Sequence, residues 1–124
     1  MAKRKKLDEA TMLAKIAVQG IEEKKGNEIV NLDLRNIKNS VTDYFIVCHG
    51  NSRTQVEAIA KSVEEEIYKT IGENPWHREG FENAEWILLD YITVVVHVFQ
   101  EEQRRFYGLE KLWADAEISK VKIK

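Results

Sequence analysis

One uninterrupted apolar run, at residues 44–48, constrains the fold of this chain more than any other feature. Its sequence, Tyr-Phe-Ile-Val-Cys, is rich in aromatic and β-branched side chains. A run of this kind is typical of a β-strand that is covered on both faces. We therefore expect it at the centre of a sheet, with packed layers above and below.

Two amphipathic patterns predict the helices that would form those layers. In residues 7–25, apolar side chains recur at four-residue steps, among them Leu13 and Ile21, and Gly26 is placed to end the helix. A second helix is predicted after residues 50–52, whose Gly-Asn-Ser sequence offers turn and capping side chains. Its apolar stripe comprises Val56, Ala60, Val63, Ile67 and Ile71.

Three further segments have the patterns of strands. Residues 28–34 alternate between apolar and polar side chains, which predicts a half-buried strand. Residues 86–89 and 93–99 predict two adjacent strands in a meander, preceded by a polar loop at residues 73–84. Because a strand, a helix and a strand follow one another, part of the sheet is expected to be parallel and the whole sheet mixed.

The C-terminal segment predicts a third helix, in which Gly108 could divide one helix into two. Residues 120–124 are rich in lysine and are expected to fray. The apolar face that the helix would present comprises Phe106, Leu109, Trp113 and Ala116.

The order of elements predicts one α/β domain over residues 1–124, in which helices flank a mixed β-sheet. Its core is expected at about residues 8–116, with flexible basic ends. No apolar stretch approaches the roughly 20 residues of a membrane-spanning helix. A single cysteine, Cys48, rules out an intramolecular disulfide. We therefore expect a cytoplasmic protein, and its net charge of -2 gives no general attraction to a phosphate backbone.

Candidate catalytic groups are scattered along the chain. Asp33, Asp43 and Asp90 could be imagined as a magnesium site for nucleotidyl transfer, but no closely spaced pair on one strand pre-forms such a site. Turn or edge roles are therefore favoured for them. Cys48 and His49 would point to opposite faces of a strand, which favours a buried structural cysteine. We expect no catalytic residue, no cofactor and no metal.

Aromatic side chains are concentrated towards the C-terminus. Because aromatic residues are favoured both in cores and at the centres of protein interfaces, core packing explains only about half of them. The remainder would form an exposed apolar patch, which on a small domain usually marks a partner surface. His97 interrupts an apolar strand and is expected to be a hydrogen-bonded core or edge histidine. The aromatic group comprises Trp86, Tyr91, Phe99, Phe106, Tyr107 and Trp113.

Six short blocks along the chain are Thr-Asp-Tyr-Phe-Ile-Val at 42–47, Gly-Asn-Ser at 50–52, Glu-Gly at 79–80, Trp-Ile-Leu-Leu-Asp-Tyr at 86–91, Val-Val-His-Val-Phe at 95–99 and Arg-Phe-Tyr-Gly-Leu-Glu-Lys-Leu-Trp at 105–113. In this order they resemble the signature blocks of the ribosomal silencing factor (RsfS, or Iojap-like) family. The resemblance covers about residues 8–116. Ile92-Thr93 departs from it, because relatives commonly carry Gly-Asp there, and Cys48-His49 replaces a small residue and a hydroxyl residue.

The resemblance implies a fold related to nucleotidyltransferases without their catalytic carboxylates, no enzymatic activity, and frequent dimerisation. It also implies binding to a large-subunit ribosomal protein on the intersubunit face, the fourteenth of that series. Such binding would block joining of the small subunit and lower translation when nutrients are scarce. Two alternatives stay open: a divergent nucleotidyltransferase-like enzyme, and an auxiliary RNA-binding factor of ribosome assembly that would use the basic residues 3–6 and 120–124.

The partner surface is expected within the blocks that carry the resemblance. Aromatic anchors would lie at its centre, and carboxylates would face basic groups of the ribosomal protein. The free protein is expected to form a symmetric homodimer that hides part of this surface. The proposed contact residues are Trp86, Asp90, Tyr91, His97, Tyr107, Leu109, Glu110 and Trp113.

Overall fold

The computed structural model describes residues 2–121, with side chains placed from residue 9 onward. Helices and strands follow one another along this part of the chain. The helices are α1 (Ala2–Glu23), α2 (Arg53–Ile71), α3 (Glu101–Tyr107) and α4 (Leu109–Leu112). The strands are β1 (Asn27–Asp33), β2 (Tyr44–Gly50), β3 (His77–Glu79), β4 (Trp86–Asp90), β5 (Val94–Gln100) and β6 (Glu117–Lys120).

The strands form one mixed sheet in the order β3-β4-β5-β2-β1-β6. β2 and β5 run parallel, with Tyr44 opposite Val94 and His49 opposite Phe99, whereas the other neighbouring pairs are antiparallel. Every residue of β2 is buried. The predicted α/β fold is therefore confirmed, with a mixed sheet and the apolar run at its centre.

Helices cover the two faces of the sheet unequally. α1 and α2 pack on one face, where Ile21 and Ile46 are completely buried. On the opposite face, which we call the α3–α4 face, Phe45 and Phe99 pack in one cluster with Leu109 of α4. This second cluster is less completely covered, because four of its large side chains are only half-buried: Ile37, Trp86, Leu88 and Trp113.

Capping side chains and left-handed glycines set the ends of the helices. Ser52 precedes α2 in extended conformation, and its Oγ accepts a hydrogen bond of 3.1 Å from the amide of Gln55. Gly72 ends α2 with a φ of 71°. Gly108, with a φ of 54°, separates α3 from α4, and its amide donates to the carbonyl of Arg104 at 3.0 Å. The predicted cap and the predicted break at Gly108 are both confirmed.

Two strands lie where the sequence predicts none. β3 interrupts the predicted polar loop, and β6 includes Lys120, where the chain is expected to fray. Every side chain of both strands is exposed, so neither strand has the apolar alternation that identifies one from sequence. Backbone pairing holds them instead, with His77 opposite Asp90 and Lys120 opposite Val30. The sheet therefore extends past residue 116, and residues 122–124 lie outside the described residues.

Other terminal predictions are also corrected. Phe106 is 80% exposed and does not share the buried face of Leu109, because Gly108 separates their helices. Ile71, at the end of the α2 stripe, is 37% exposed. The backbone of residues 3–6 belongs to α1. Within the described chain, no helix is both long enough and apolar enough to cross a membrane.

Candidate protein-binding surface

A stack of aromatic side chains joins β4, β5 and α3 on the α3–α4 face. Trp86 lies opposite Phe99 in the register of β4 and β5, and their rings stack with centroids 4.8 Å apart and planes at 27°. Tyr107 of α3 packs against the same indole, with a centroid distance of 4.9 Å. Phe99 is completely buried, whereas Tyr107 is 47% exposed. The stack therefore runs from the sheet to the protein surface.

His97 lies beside this stack and is held in one protonation state. The indole N–H of Trp86 donates to Nδ1 of His97 at 3.1 Å, so the single proton of the neutral imidazole is on Nε2. Burial lowers the pKa of His97 to about 3. The ring of Phe45 meets the imidazole edge-on, with centroids 4.7 Å apart. The prediction of a hydrogen-bonded core histidine is confirmed.

Arg104 is a buried charged residue that the sequence patterns do not single out. Its Nη1 donates to Nδ1 of His49 at 2.9 Å, and its Nη2 donates to the carboxylate of Glu110 at 2.8 Å. A longer bond of 3.4 Å reaches the carbonyl of Asn27. Arg104 therefore ties α3 to β1, β2 and α4. The one signal in the sequence is the placement of Arg104 and Glu110 on either side of Gly108, which is too common a pattern to identify a buried pair.

Glu28, His49 and Glu101 bring three potential metal-binding atoms within 4.8 Å of one another. Their other contacts oppose that role. An arginine only donates, so the bond from Arg104 to Nδ1 of His49 leaves the proton of the neutral ring on Nε2, and no ring lone pair is free for a cation. Both carboxylates are paired with Arg105, at 2.7 and 3.1 Å. These residues form an ion-pair network rather than a built metal centre.

The other groups considered for catalysis have structural partners. Asp33 accepts two hydrogen bonds from the Arg35 side chain, at 2.9 and 2.6 Å, and these bonds lower the pKa of its carboxyl. Asp90 accepts from the amide of Ile92 at 2.7 Å and so closes the turn between β4 and β5. Cys48 is completely buried in the core beneath α1 and α2, and burial raises the pKa of its thiol to about 12. The predicted turn or edge roles of Asp33 and Asp90 and the structural cysteine are confirmed.

The α3–α4 segment carries exposed apolar side chains next to the aromatic stack. Phe106 is 80% exposed and Leu112 is 76% exposed. The rings of Phe106 and Tyr107 meet edge-on, with centroids 5.1 Å apart. A single exposed apolar residue needs no explanation, but several together on a small domain mark a binding surface. We define the docking surface as Trp86, Phe106, Tyr107, Leu112 and Trp113.

Comparison with known proteins assigns the chain to a family. The family model described as "Ribosomal silencing factor during starvation" matches residues 7–124. The chain belongs to this ribosomal silencing factor family. The ribosomal silencing factor of Bacillus subtilis is 42% identical over 107 residues, which are 86% of this chain and 89% of that protein. That of Haemophilus influenzae is 38% identical over 102 residues, 82% and 98% of the two chains.

Solved structures agree with the fold of this ribosomal silencing factor family member. A crystal structure of a Chromobacterium violaceum protein superposes with a TM-score of 0.79 at 35% identity, covering 91% of this chain and 93% of the other. A crystal structure from Bacillus halodurans gives a TM-score of 0.75 at 38% identity, covering 90% and 98%. The family assignment made from the signature blocks is confirmed, and with it a role in ribosome silencing.

The structure brings together four of the eight contact residues predicted for this family member. Trp86 and Tyr107 touch directly, and Trp113 packs on the same face against Phe45, with ring centroids 5.5 Å apart. Glu110 is half-buried, and its carboxylate is tied to a buried arginine. Glu110 therefore supports the α3–α4 segment from within and is not a free charge for a partner.

The remaining four predicted residues lie elsewhere. His97 and Leu109 are 4% and 8% exposed, so both lie beneath the docking surface. Tyr91 belongs to the core under α1 and α2, where burial raises the pKa of its phenol, and its ring is not available to a partner on the α3–α4 face. Asp90 closes the turn at the end of β4. Conversely, Phe106 was predicted to share a helical face with Leu109, but it is exposed on α3, on the other side of the break at Gly108.

A second exposed apolar group lies at the Asp90 end of the sheet. Trp76 and Val41 are 77% and 87% exposed, and with Ile92 they line a recess of about 230 Å³. Ile92 adopts a φ of 76°, a left-handed conformation that favours glycine and that a β-branched residue rarely adopts. The turn between β4 and β5 therefore has a glycine-type backbone with a β-branched residue in it. Loop residues such as Trp76 have no periodicity, so the sequence patterns do not predict this recess.

Proposed function

We propose that this chain binds the large ribosomal subunit through the docking surface and sterically prevents the small subunit from joining, which lowers translation. The observation that carries the proposal is the exposure of Phe106, Tyr107 and Leu112 on one short segment of a ribosomal silencing factor family member. A few residues near the centre of an interface, aromatic ones prominent among them, supply most of its binding energy. The protein would act in the cytoplasm by occupying space, without chemistry on a substrate.

The proposed partner is the large-subunit protein on the intersubunit face that the family resemblance indicates. Ribosomal proteins are typically cationic, so exposed carboxylates around the docking surface would speed their encounter. Glu82, Glu85 and Glu102 are exposed near Trp86 and α3. Ribosomal RNA would make at most auxiliary contacts, because the chain has no net positive charge.

Gradient sedimentation of purified subunits tests the proposal directly. Small and large subunits are mixed with and without the protein, and the fraction of joined ribosomes is measured. We expect the protein to co-sediment with the large subunit and to lower the joined fraction. Unchanged joining at saturating protein would show that the proposed mechanism is wrong. Titration with ATP and Mg²⁺ in a calorimeter tests the enzyme alternative, for which we expect no binding heat.

We also propose that the free protein forms a symmetric homodimer that covers part of the docking surface. The exposed side chains of Phe106 and Leu112 support this, since a monomer would leave both in water. The dimer and the ribosome complex would then compete for one surface. Light scattering at increasing concentration should show a dimer, and adding large subunits should convert it to the bound monomer. If light scattering shows a monomer at high micromolar concentration, the dimer proposal is wrong, but the proposal of ribosome binding is unaffected.

A further inference from the structure

A cleft of about 300 Å³ lies between the β3–β4 loop and α3, beside the docking surface. Trp86 and Tyr107 form its aromatic lining, and Glu82, Glu85 and Gln103 supply oxygen atoms. Its volume is at the lower end of the ~300–1,000 Å³ that small-molecule pockets occupy. The cleft is therefore suited to a single side chain rather than to a larger ligand.

One wall of the cleft is the β3–β4 loop, whose backbone is held by close packing and by hydrogen bonds from two side chains. Gly80 has a φ of 90°, and a Cβ there would collide with the carbonyl oxygen of Trp86, so the loop lies directly against β4. The side-chain amide of Gln100 donates to the carbonyl of Ala84 at 3.0 Å. Arg53 donates to the carbonyl of Glu82 at 2.6 Å. The cleft is thus built by fixed contacts before any partner arrives.

Most polar groups that line the cleft are hydrogen-bond acceptors without a donor in the part of the chain that the structure describes. The carboxylates of Glu82 and Glu85 are exposed, and neither forms an ion pair within the described residues. The Oε1 atom of Gln103 is buried and has no hydrogen-bond donor in that same part of the chain. A buried acceptor without a donor costs free energy that a suitable ligand recovers. A group with N–H donors would satisfy these acceptors, and the two unpaired carboxylates favour one that carries a positive charge.

We propose that this cleft receives the guanidinium group of an arginine side chain from the partner protein. A guanidinium is planar, always charged and weakly hydrated, so it lies against aromatic rings while its N–H groups reach carboxylate and amide oxygens. An ammonium group offers the charge but not the flat donor array. The inference rests on the proposed function for the identity of the partner, and it adds the chemistry by which the partner is recognised.

Amide-capped arginine is the probe, and it tests the cleft without the ribosome. The indole N–H signal of Trp86 in a nuclear magnetic resonance spectrum reports binding, because Trp86 lines the cleft. Capped arginine should shift this signal saturably. Capped citrulline, which has the same shape without the charge, should shift it much less, and capped lysine should bind several-fold more weakly. Glu85→Gln and Gln103→Leu should each weaken the arginine response about tenfold, as expected for loss of one charge-assisted bond.

Glu65→Gln is the matched control, since Glu65 is an exposed carboxylate on α2 outside the cleft. It should leave the arginine response unchanged. Absence of any arginine response, or equal responses to arginine and citrulline or to arginine and lysine, would overturn the inference. In the sedimentation assay, Glu85→Gln should weaken large-subunit binding and Glu65→Gln should not. If the wild-type protein responds to arginine but binds no large subunit, the proposed function fails while the arginine cleft stands.

Discussion

The indole nitrogen of Trp86 donates a hydrogen bond of 3.1 Å to Nδ1 of His97 on the adjacent strand. This bond fixes the orientation of the indole that packs against both Phe99 and Tyr107. It also fixes the histidine tautomer, with the proton on Nε2. Nε2 is buried and has no partner within the described chain, so a second proton on this ring would add an unsatisfied charge to the core.

We expect the stability of the protein to fall in weak acid because of His97. The unfolded imidazole titrates near about pH 6.5, whereas the pKa of the folded one is about 3, so the unfolded chain binds this proton first as the pH falls. The contribution of His97 is complete above about pH 6.5 and decreases by about 2 kcal/mol at pH 5. Urea denaturation from pH 7.5 to 5 measures the slope for wild type and His97→Gln. Equal slopes would contradict the expectation.

Arg104→Met should strongly destabilise the α3–α4 segment. Removing this side chain leaves the carboxylate of Glu110 and the imidazole of His49 without their donor, and breaking a buried pair in this way costs about 3–5 kcal/mol. Arg105→Met is the matched control, because the neighbouring arginine is 54% exposed and its ion pairs are in water. Chemical denaturation should show a large loss for the first variant and little for the second. Similar losses would show that burial does not distinguish the two arginines.

Alanine substitutions at Gly80 and Gly72 distinguish the cost of backbone strain from the cost of a steric clash of the added Cβ. Both have positive φ, at 90° and 71°, but a Cβ at Gly72 would meet nothing within 4 Å whereas one at Gly80 would strike the Trp86 carbonyl. Gly72→Ala should therefore cost about 1 kcal/mol from backbone strain alone. Gly80→Ala should cost at least about 3 kcal/mol, since the loop must move away from β4. Thermal denaturation measures the loss of stability in each variant. Equal losses would show that the Gly80 loop does not lie against the carbonyl of Trp86.

The parts of the fold that the sequence predicts are those in which burial requires a recognisable apolar pattern, either a continuous run or a helical repeat. β2 is buried along its whole length, and the α2 stripe repeats with the helical turn, so both are visible as apolar patterns. β3 and β6 are edge strands with every side chain exposed, and only backbone pairing defines them. A pairing partner is a property of the folded chain, which no local pattern contains.

The candidate site is predicted less completely than the fold, for a related reason. Its aromatic members were found by composition, but composition does not say which face a side chain occupies. Tyr91 follows β4 and turns into the core under α1 and α2, whereas Trp86 at the start of β4 lies on the α3–α4 face. Arg104 was missed because a charged residue in a polar helix looks solvent-exposed until its partners, His49 and Glu110, are placed around it.

Ile92→Gly should stabilise the protein. Ile92 has a φ of 76° and is 58% exposed. Its β-branched side chain therefore strains the turn, and its limited burial offsets little of that strain. Glycine would relieve about 1 kcal/mol of that strain. Ile92→Ala is the control, because it removes the same exposed surface but keeps a Cβ at positive φ. A higher melting temperature for glycine than for alanine is expected, and the reverse order would show that the side-chain contacts of Ile92 outweigh the backbone strain.

Phe106→Ala should weaken binding to the large subunit while leaving the fold intact. Phe106 is 80% exposed, so its removal empties no core, but as an aromatic anchor it should be worth about 2 kcal/mol, or roughly thirtyfold in affinity. Tyr68→Ala is the matched control, because Tyr68 is an aromatic residue 58% exposed on α2, which packs on the other face of the sheet. At a concentration low enough for the protein to be monomeric, both variants should melt like wild type, and only Phe106→Ala should lose large-subunit binding and the block on subunit joining. If both variants bind the large subunit as tightly as wild type, Phe106 does not contact the subunit. If only Tyr68→Ala loses binding, the contact lies on the face covered by α1 and α2.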